Sequence, residues 1–198
     1  MPGKVSELLR GIVMWTNRPG KIQYTGDNKV VMVSYYLFSV FGYTFKLHAF
    51  VREDVSECFH SHAGDSYRMV LSGGYTEEIL DYVFPGLLLD ALDQTRRDIN
   101  RNDSKSLHNA KAKCQRLYAN LSSIYEFYAT RLRVDLNLST NFKDMFIREY
   151  RQIPRFKMSK VDANLVHRIK SVKNDTWSLW ITRNKDQQPI VTIGDGWL

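Results

Sequence analysis

Two stretches rich in β-branched and aromatic residues, Lys29 to Arg52 and Leu165 to Ile193, are separated by a segment from Ser104 to Val134 that contains neither proline nor glycine. This arrangement limits the folds open to the chain. Neither β-rich half offers enough apolar face to be stable alone, so strands from both sides of the helical stretch must pair into one sheet system. Lys29 to Phe41 and Tyr43 to Arg52 read as adjacent long strands with a turn at Gly42. Shorter strands are expected at Glu57 to His62 and Tyr67 to Leu71, with Gly73-Gly74 allowing a sharp turn. The second half of Phe142 to Lys157 reads as a strand that Pro154 places at an edge or bulge, and Leu165 to Val172, Thr176 to Thr182 and Ile190 to Ile193 read as closing strands.

Helical spacing appears in three places. Val5, Leu8, Leu9, Ile12 and Val13 predict a short amphipathic opening helix. Leu107, Ala110, Cys114, Leu117, Leu121, Ile124 and Tyr128 lie three or four residues apart and predict a long helix over 104–134. Glu77 to Ile99 carries a second helical pattern in Leu87, Leu88, Ala91, Leu92 and Thr95. Together they predict an antiparallel helical hairpin, inserted over 79–150 within a single domain, 1–198.

Composition narrows the function classes. A chain of 198 residues with 43% hydrophobic content can bury a core of its own. A net charge of +7 favours anionic partners such as nucleotides, phosphorylated sugars or nucleic acid. Cys58 and Cys114 stand in no metal-type spacing and make no disulfide framework. No run of about 18 apolar residues and no apolar leader occurs, so a cytoplasmic protein without membrane contact is expected. Phosphate loops of the P-loop or dinucleotide type and a serine nucleophile elbow are not present in the sequence.

The chemistry-bearing feature is Phe59-His60-Ser61-His62. Histidines at i and i+2 of an extended segment share a face, so one ion could take both imidazoles. They could equally line a polar pocket or face solvent on an edge strand.

Tyr35-Tyr36-Leu37-Phe38, Leu47-His48-Ala49-Phe50, His60-Ser61-His62, Val70-Leu71-Ser72-Gly73-Gly74-Tyr75-Thr76-Glu77-Glu78, Val166-His167-Arg168-Ile169 and Thr176-Trp177-Ser178-Leu179 stand in an order that resembles small cupin-like proteins of bacteria and phages. The resemblance implies an α+β, mainly β fold: a cupin jelly-roll barrel, or double-stranded β-helix, with an inserted α-helical hairpin. It also implies a metal centre of His60, His62 and His167. The wider cupin pattern places a carboxylate three or four residues after the second histidine, where this chain has Ser66 and Tyr67; Asp65 is one residue early and is the candidate fourth ligand. Ala63 and Gly64 stand where the similar small proteins carry Pro and Trp.

Three neutral imidazoles suit Zn, Fe, Ni or Cu, and with an added carboxylate the expected cofactor is a divalent ion of the Fe, Zn, Mn or Ni type. His48, Tyr75, Glu77, Glu78 and Arg168 are candidate ligand-binding residues, with a glutamate able to act as general acid or base if burial raises its pKa. Strand alternation would, however, point Arg168 away from His167. The expected function is metal-dependent chemistry (oxygenase, isomerase or hydrolase type) on a small anionic molecule. Set against it is a non-catalytic cupin that sequesters such a molecule, for example a nucleotide. A further alternative is nucleic-acid binding through Arg96, Arg97, Arg101, Lys105, Lys111, Lys113 and Arg116, for which a solvated basic face is the plainer reading. The seam from Leu107 to Tyr128 could pack within the chain or pair with a second subunit in a homodimer.

Overall fold

The long hairpin expected around Gly42 is formed by β2 (Val30–Val40) and β3 (Tyr43–Phe50). Val40 pairs with Tyr43, so the turn is only Phe41-Gly42, and both turn residues have positive φ, 49° and 78°. Two left-handed residues match the twist of the flanking strands. The computed structural model describes residues 3–16, 20–24, 29–53, 58–101, 110–132, 146–183 and 189–194.

The remaining strands are β1 (Lys21–Tyr24), β4 (Cys58–His60), β5 (Ser66–Ser72), β6 (Tyr75–Tyr82), β7 (Phe146–Gln152), β8 (Ser159–Val161), β9 (Val166–Val172), β10 (Thr176–Arg183) and β11 (Thr192–Gly194). They form a six-stranded sheet in the order β1-β2-β3-β10-β5-β8 and a five-stranded sheet in the order β11-β4-β9-β6-β7. β10 lies between β3 and β5, and β9 between β4 and β6, all antiparallel. The two β-rich halves are thus interleaved strand by strand, as a double-stranded β-helix requires, although among the described residues the sheets do not close on each other. The fold is a mainly β jelly roll with two inserted helices, as the sequence led us to expect.

Three buried interfaces follow from the alternation. The outer face of the larger sheet, through Leu47 and Trp177, packs on Leu9 of α1 (Lys4–Thr16). Between the sheets lie Met32, Phe50, Val70, Tyr75 and Ile153. The outer face of the smaller sheet, through Phe59, Leu80, Tyr82 and Val166, is covered by Leu88, Ala91 and Leu92 of α2 (Pro85–Arg101) and Leu117 and Leu121 of α3 (Ala110–Leu132). No helix among the described residues is long and apolar enough to cross a membrane.

The structure narrows the helical insertion. Helical periodicity extended back to Glu77, and the insertion was expected over 79–150, but Ile79 to Tyr82 belong to β6 and Phe146 to Tyr150 to β7, which pair with each other. β6 is buried on both faces between β7 and β9, so it lacks the alternation that marks a half-exposed strand. Pro85 then opens α2 at the first helical position, where its missing N–H costs nothing. In the seam of α3, Cys114, Leu117 and Leu121 are buried within the chain and Tyr128 is exposed; Leu107 lies outside the described residues. The β5–β6 turn needs glycine at position 73, where φ is +68° and a Cβ would come within 2.2 Å of Thr176 Oγ1.

Candidate metal centre

His60 and His167 are direct cross-strand partners of β4 and β9. His62 lies just beyond β4, and its backbone N–H donates to the carbonyl of Ala163 at 3.1 Å. The rings of His60, His62 and His167 have centroids 4.9 to 5.6 Å apart, and one ring nitrogen from each lies within 4.8 Å of the others. His167 is buried and the other two are half-buried.

Glu77 fixes the orientation of His167. It lies diagonally across from His167 on β6, on the same face, since its direct partner on β9 is Ile169 and that of His167 is Ile79. Its Oε1 lies 2.7 Å from His167 Nδ1, and its carboxylate accepts a two-pronged bond from the buried Arg68 of β5, with Nη2–Oε2 at 2.6 Å. Burial alone would raise the pKa of Glu77, but the His167 contact and the Arg68 guanidinium outweigh it and hold the carboxyl at about 2. The expectation of a glutamate poised as acid or base by a raised pKa is thus reversed: Glu77 is held ionised.

An ionised carboxylate only accepts hydrogen bonds, so His167 donates to it from Nδ1 and turns its Nε2 toward the other histidines. That Nε2 lies 2.7 Å from His62 Nε2. Two ring nitrogens meet at this distance only when they share a hydrogen-bonding proton or a bound cation. Burial first, then the charges of His167, His60, Arg68 and His48, lower the pKa of His62 well below its ordinary value, which keeps the ring neutral and able to ligate. A carboxylate bound to the far nitrogen of a ligating histidine also raises its basicity and fixes its tautomer. The donor set therefore fits a divalent transition metal held by His60, His62 and His167.

The other expected residues fall in several places. Asp65 is not in this group: its Oδ2 lies 2.8 Å from Lys160 Nζ and its Oδ1 accepts from the Ala163 N–H at 2.9 Å, so its carboxylate closes a loop. Glu78 and Arg168 are also away from the histidines, paired with each other at 2.7 Å on the opposite face of the sheet, where the Arg168 guanidinium lies over the Phe59 ring. The period-two alternation of β6 and β9 puts them there. His48 and Tyr75 do face the space between the sheets; His48 stacks on Trp180, whose ring lies 5.4 Å from that of His62.

Arg68 and Trp180 were not singled out from sequence. Arg68 was detectable, because alternation puts it on the face of Val70 and a buried charge needs a partner. Arg96, counted with the basic face, is buried: its Nη2 donates to Ser61 Oγ at 3.1 Å and to the Ala163 carbonyl at 2.7 Å, tying α2 to the His-x-His segment. Arg116 faces Asp98 at 3.4 Å, Arg97 lines a 430 Å³ cleft between α2 and α3 with Asp90 and Asp93, and Lys105 lies outside the described residues.

No protein-family description and no curated protein matches the chain. Among solved structures it is similar to Fe(II)-HppE with the alternative substrate (S)-1-HPP, at 10% identity and a TM-score of 0.41 over 84% of this chain and 55% of that one. A cupin-like protein from Thermotoga maritima MSB8 matches at 10% identity and a TM-score of 0.38, over 89% of this chain and 86% of that one. A cupin superfamily protein from Desulfitobacterium hafniense DCB-2 matches at 9% identity and a TM-score of 0.30, over 87% of this chain and 98% of that one. The chain spans about half the length of the HppE structures it matches.

Proposed function

We propose that this protein binds a divalent transition metal through His60, His62 and His167 and uses it to hold and activate a small anionic molecule between the sheets. The observation that carries this reading is the line from Arg68 through Glu77 to His167 and His62, in which an ionised buried carboxylate holds His167 by Nδ1 and directs its Nε2 at a second imidazole. Donors of this type suit Zn, Fe or Ni. A bound ion would supply Lewis-acid polarisation of a substrate oxygen or a lowered pKa for a bound water. Arg68 keeps Glu77 charged, Glu77 keeps the His167 proton on Nδ1, and half-buried His60 and His62 leave a side open for the incoming molecule.

The test is elemental analysis of protein purified without chelators, followed by titration of the stripped protein with Zn, Fe(II) and Ni. The expected result is one ion per chain, lost when His60 and His62 are both replaced by Ala while the circular dichroism spectrum is kept. Failure of the stripped wild-type protein to take up any of these ions sinks the reading.

A further inference from the structure

Buried polar side-chain atoms rarely go without a partner, and each exception needs an explanation. Among the described residues five such atoms have none: His48 Nδ1, Tyr75 Oη, Ser178 Oγ, Trp180 Nε1 and Tyr125 Oη. Tyr125 belongs to the helical layer. His48, Ser178 and Trp180 line the inner face of the larger sheet, and Tyr75 of β6 meets them from the smaller sheet to complete a wall beside the histidines.

Register places them together. Ser178 of β10 pairs with His48 on one side and Val70 on the other, and the next inward residue, Trp180, pairs with Lys46 and Arg68. Tyr75 packs on Phe50 at 5.1 Å between ring centroids, and its ring lies 5.7 Å from the Arg68 guanidinium carbon. The wall runs to the histidines through Trp180, which is 5.3 Å from His48 and 5.4 Å from His62. His48 is half-buried, and its Nδ1 is sealed like the other three polar atoms.

The chemistry of these groups defines what would satisfy them. The indole N–H of Trp180 only donates, the hydroxyls of Tyr75 and Ser178 donate or accept, and His48 is neutral because burial and Lys46 lower its pKa to about 3. The Arg68 fork is taken up by Glu77, and the Tyr75 hydroxyl lies near enough to the guanidinium to feel its charge but makes no hydrogen bond of normal geometry with it. The wall is thus a set of uncharged groups, one that only donates and three that can donate or accept, suited to carbonyl or hydroxyl oxygens, with positive charge at its edge on Lys46 and, when loaded, at the histidine centre.

We propose that His48, Tyr75, Ser178 and Trp180 form the subsite for the uncharged, oxygen-bearing part of a small hydroxy- or oxo-acid whose acidic group lies toward the metal centre. This rests on the metal-binding reading above and names the substrate class for that site. A ligand with the same acid group but a hydrocarbon body would leave four buried polar atoms unpaired, which is a strong basis for rejection.

The experiment uses zinc-loaded full-length protein and calorimetric titration with matched pairs, glycerate against propionate and gluconate against hexanoate, with glycerol phosphate separating phosphate from carboxylate as the acidic group. The expected result is at least about tenfold tighter binding of the hydroxylated member, an advantage lost in the Tyr75→Phe/Ser178→Ala protein. Equal affinity within the pairs, an advantage untouched by the substitutions, or no saturable binding of any hydroxylated acid or of glycerol phosphate overturns the proposal. A second measurement needs no ligand. Unpartnered hydroxyls cost stability, so Tyr75→Phe and Ser178→Ala should keep or raise the melting temperature of the unliganded protein. A fall of several degrees in both would show that these hydroxyls already have partners, and would also overturn it. Metal content on the same samples separates the two readings, because neither substitution touches an imidazole: loss of metal in the wild-type protein faults the centre, not the wall.

Discussion

Glu77 and Glu78 are consecutive residues of β6, both fully buried and both paired with an arginine, Arg68 from β5 of the facing sheet and Arg168 from the neighbouring β9, yet they do different work. Glu77 points between the sheets, where Arg68 and His167 meet it. Glu78 points to the outer face, in a row with its cross-strand partners Arg168 and Tyr150, whose hydroxyl donates to it at 3.2 Å. The same residue type, one position apart, orients an imidazole on one face and ties three strands together on the other. The difference comes from which groups the partner strands present to each face, and residue type says nothing about it.

Substitution of each glutamate by Gln tests that division. Glu77→Gln leaves Arg68 buried without a counter-charge, which costs about 3–5 kcal/mol, and frees the His167 tautomer, which lowers metal affinity about 10–100-fold. Glu78→Gln likewise takes the counter-charge from buried Arg168, a cost of about the same 3–5 kcal/mol, but leaves metal affinity unchanged. Urea unfolding and competitive zinc titration read both quantities, and a drop in zinc affinity for Glu78→Gln of the size seen for Glu77→Gln breaks the comparison.

Acid sharpens it. Both carboxyls titrate below the ordinary value of 4.5 in the folded protein, Glu77 at about 2, because their cationic partners outweigh burial. The unfolded chain therefore takes up protons first as pH falls, so the stability these groups contribute is complete above about pH 4.5 and is lost as pH falls toward 2. Metal-free wild-type protein should lose urea resistance steeply between pH 5 and pH 3, and each Gln variant should show a flatter profile. Identical slopes in wild type and variants count against ion pairing at that site.

The smallest effect is expected from Arg→Lys. Lysine cannot reproduce a two-pronged contact, so Arg68→Lys should loosen Glu77 and weaken zinc binding a few-fold. Arg168→Lys should leave zinc binding as it is, and spectroscopic titration with Co(II) distinguishes the two.

Much of this was legible in the chain. The strands at Lys29 to Arg52 and 165–193, the turns at Gly42 and Gly73-Gly74 and the helical patterns over Leu87 to Ile99 and Cys114 to Tyr128 all depend on local steric preferences. So does the shared face of His60 and His62. The role of Glu77 was not legible, because β6 is buried on both faces and reads equally well as the start of a helix. Arg96 was hidden for a similar reason: spacing on a helix tells which residues share a face, and a basic residue on α2 looks solvated until Ser61 and Ala163 are seen around it.

By itself the sequence determined the periodicities, hence which segments extend or coil and which side chains within each segment lie together, since backbone sterics act over a few residues. Tertiary structure alone decided that His60 stands opposite His167, that Glu77 faces inward, and that four polar atoms on three strands are left without partners. Those facts depend on register between strands far apart in the chain, which is set only when both β-rich halves pair into the two sheets.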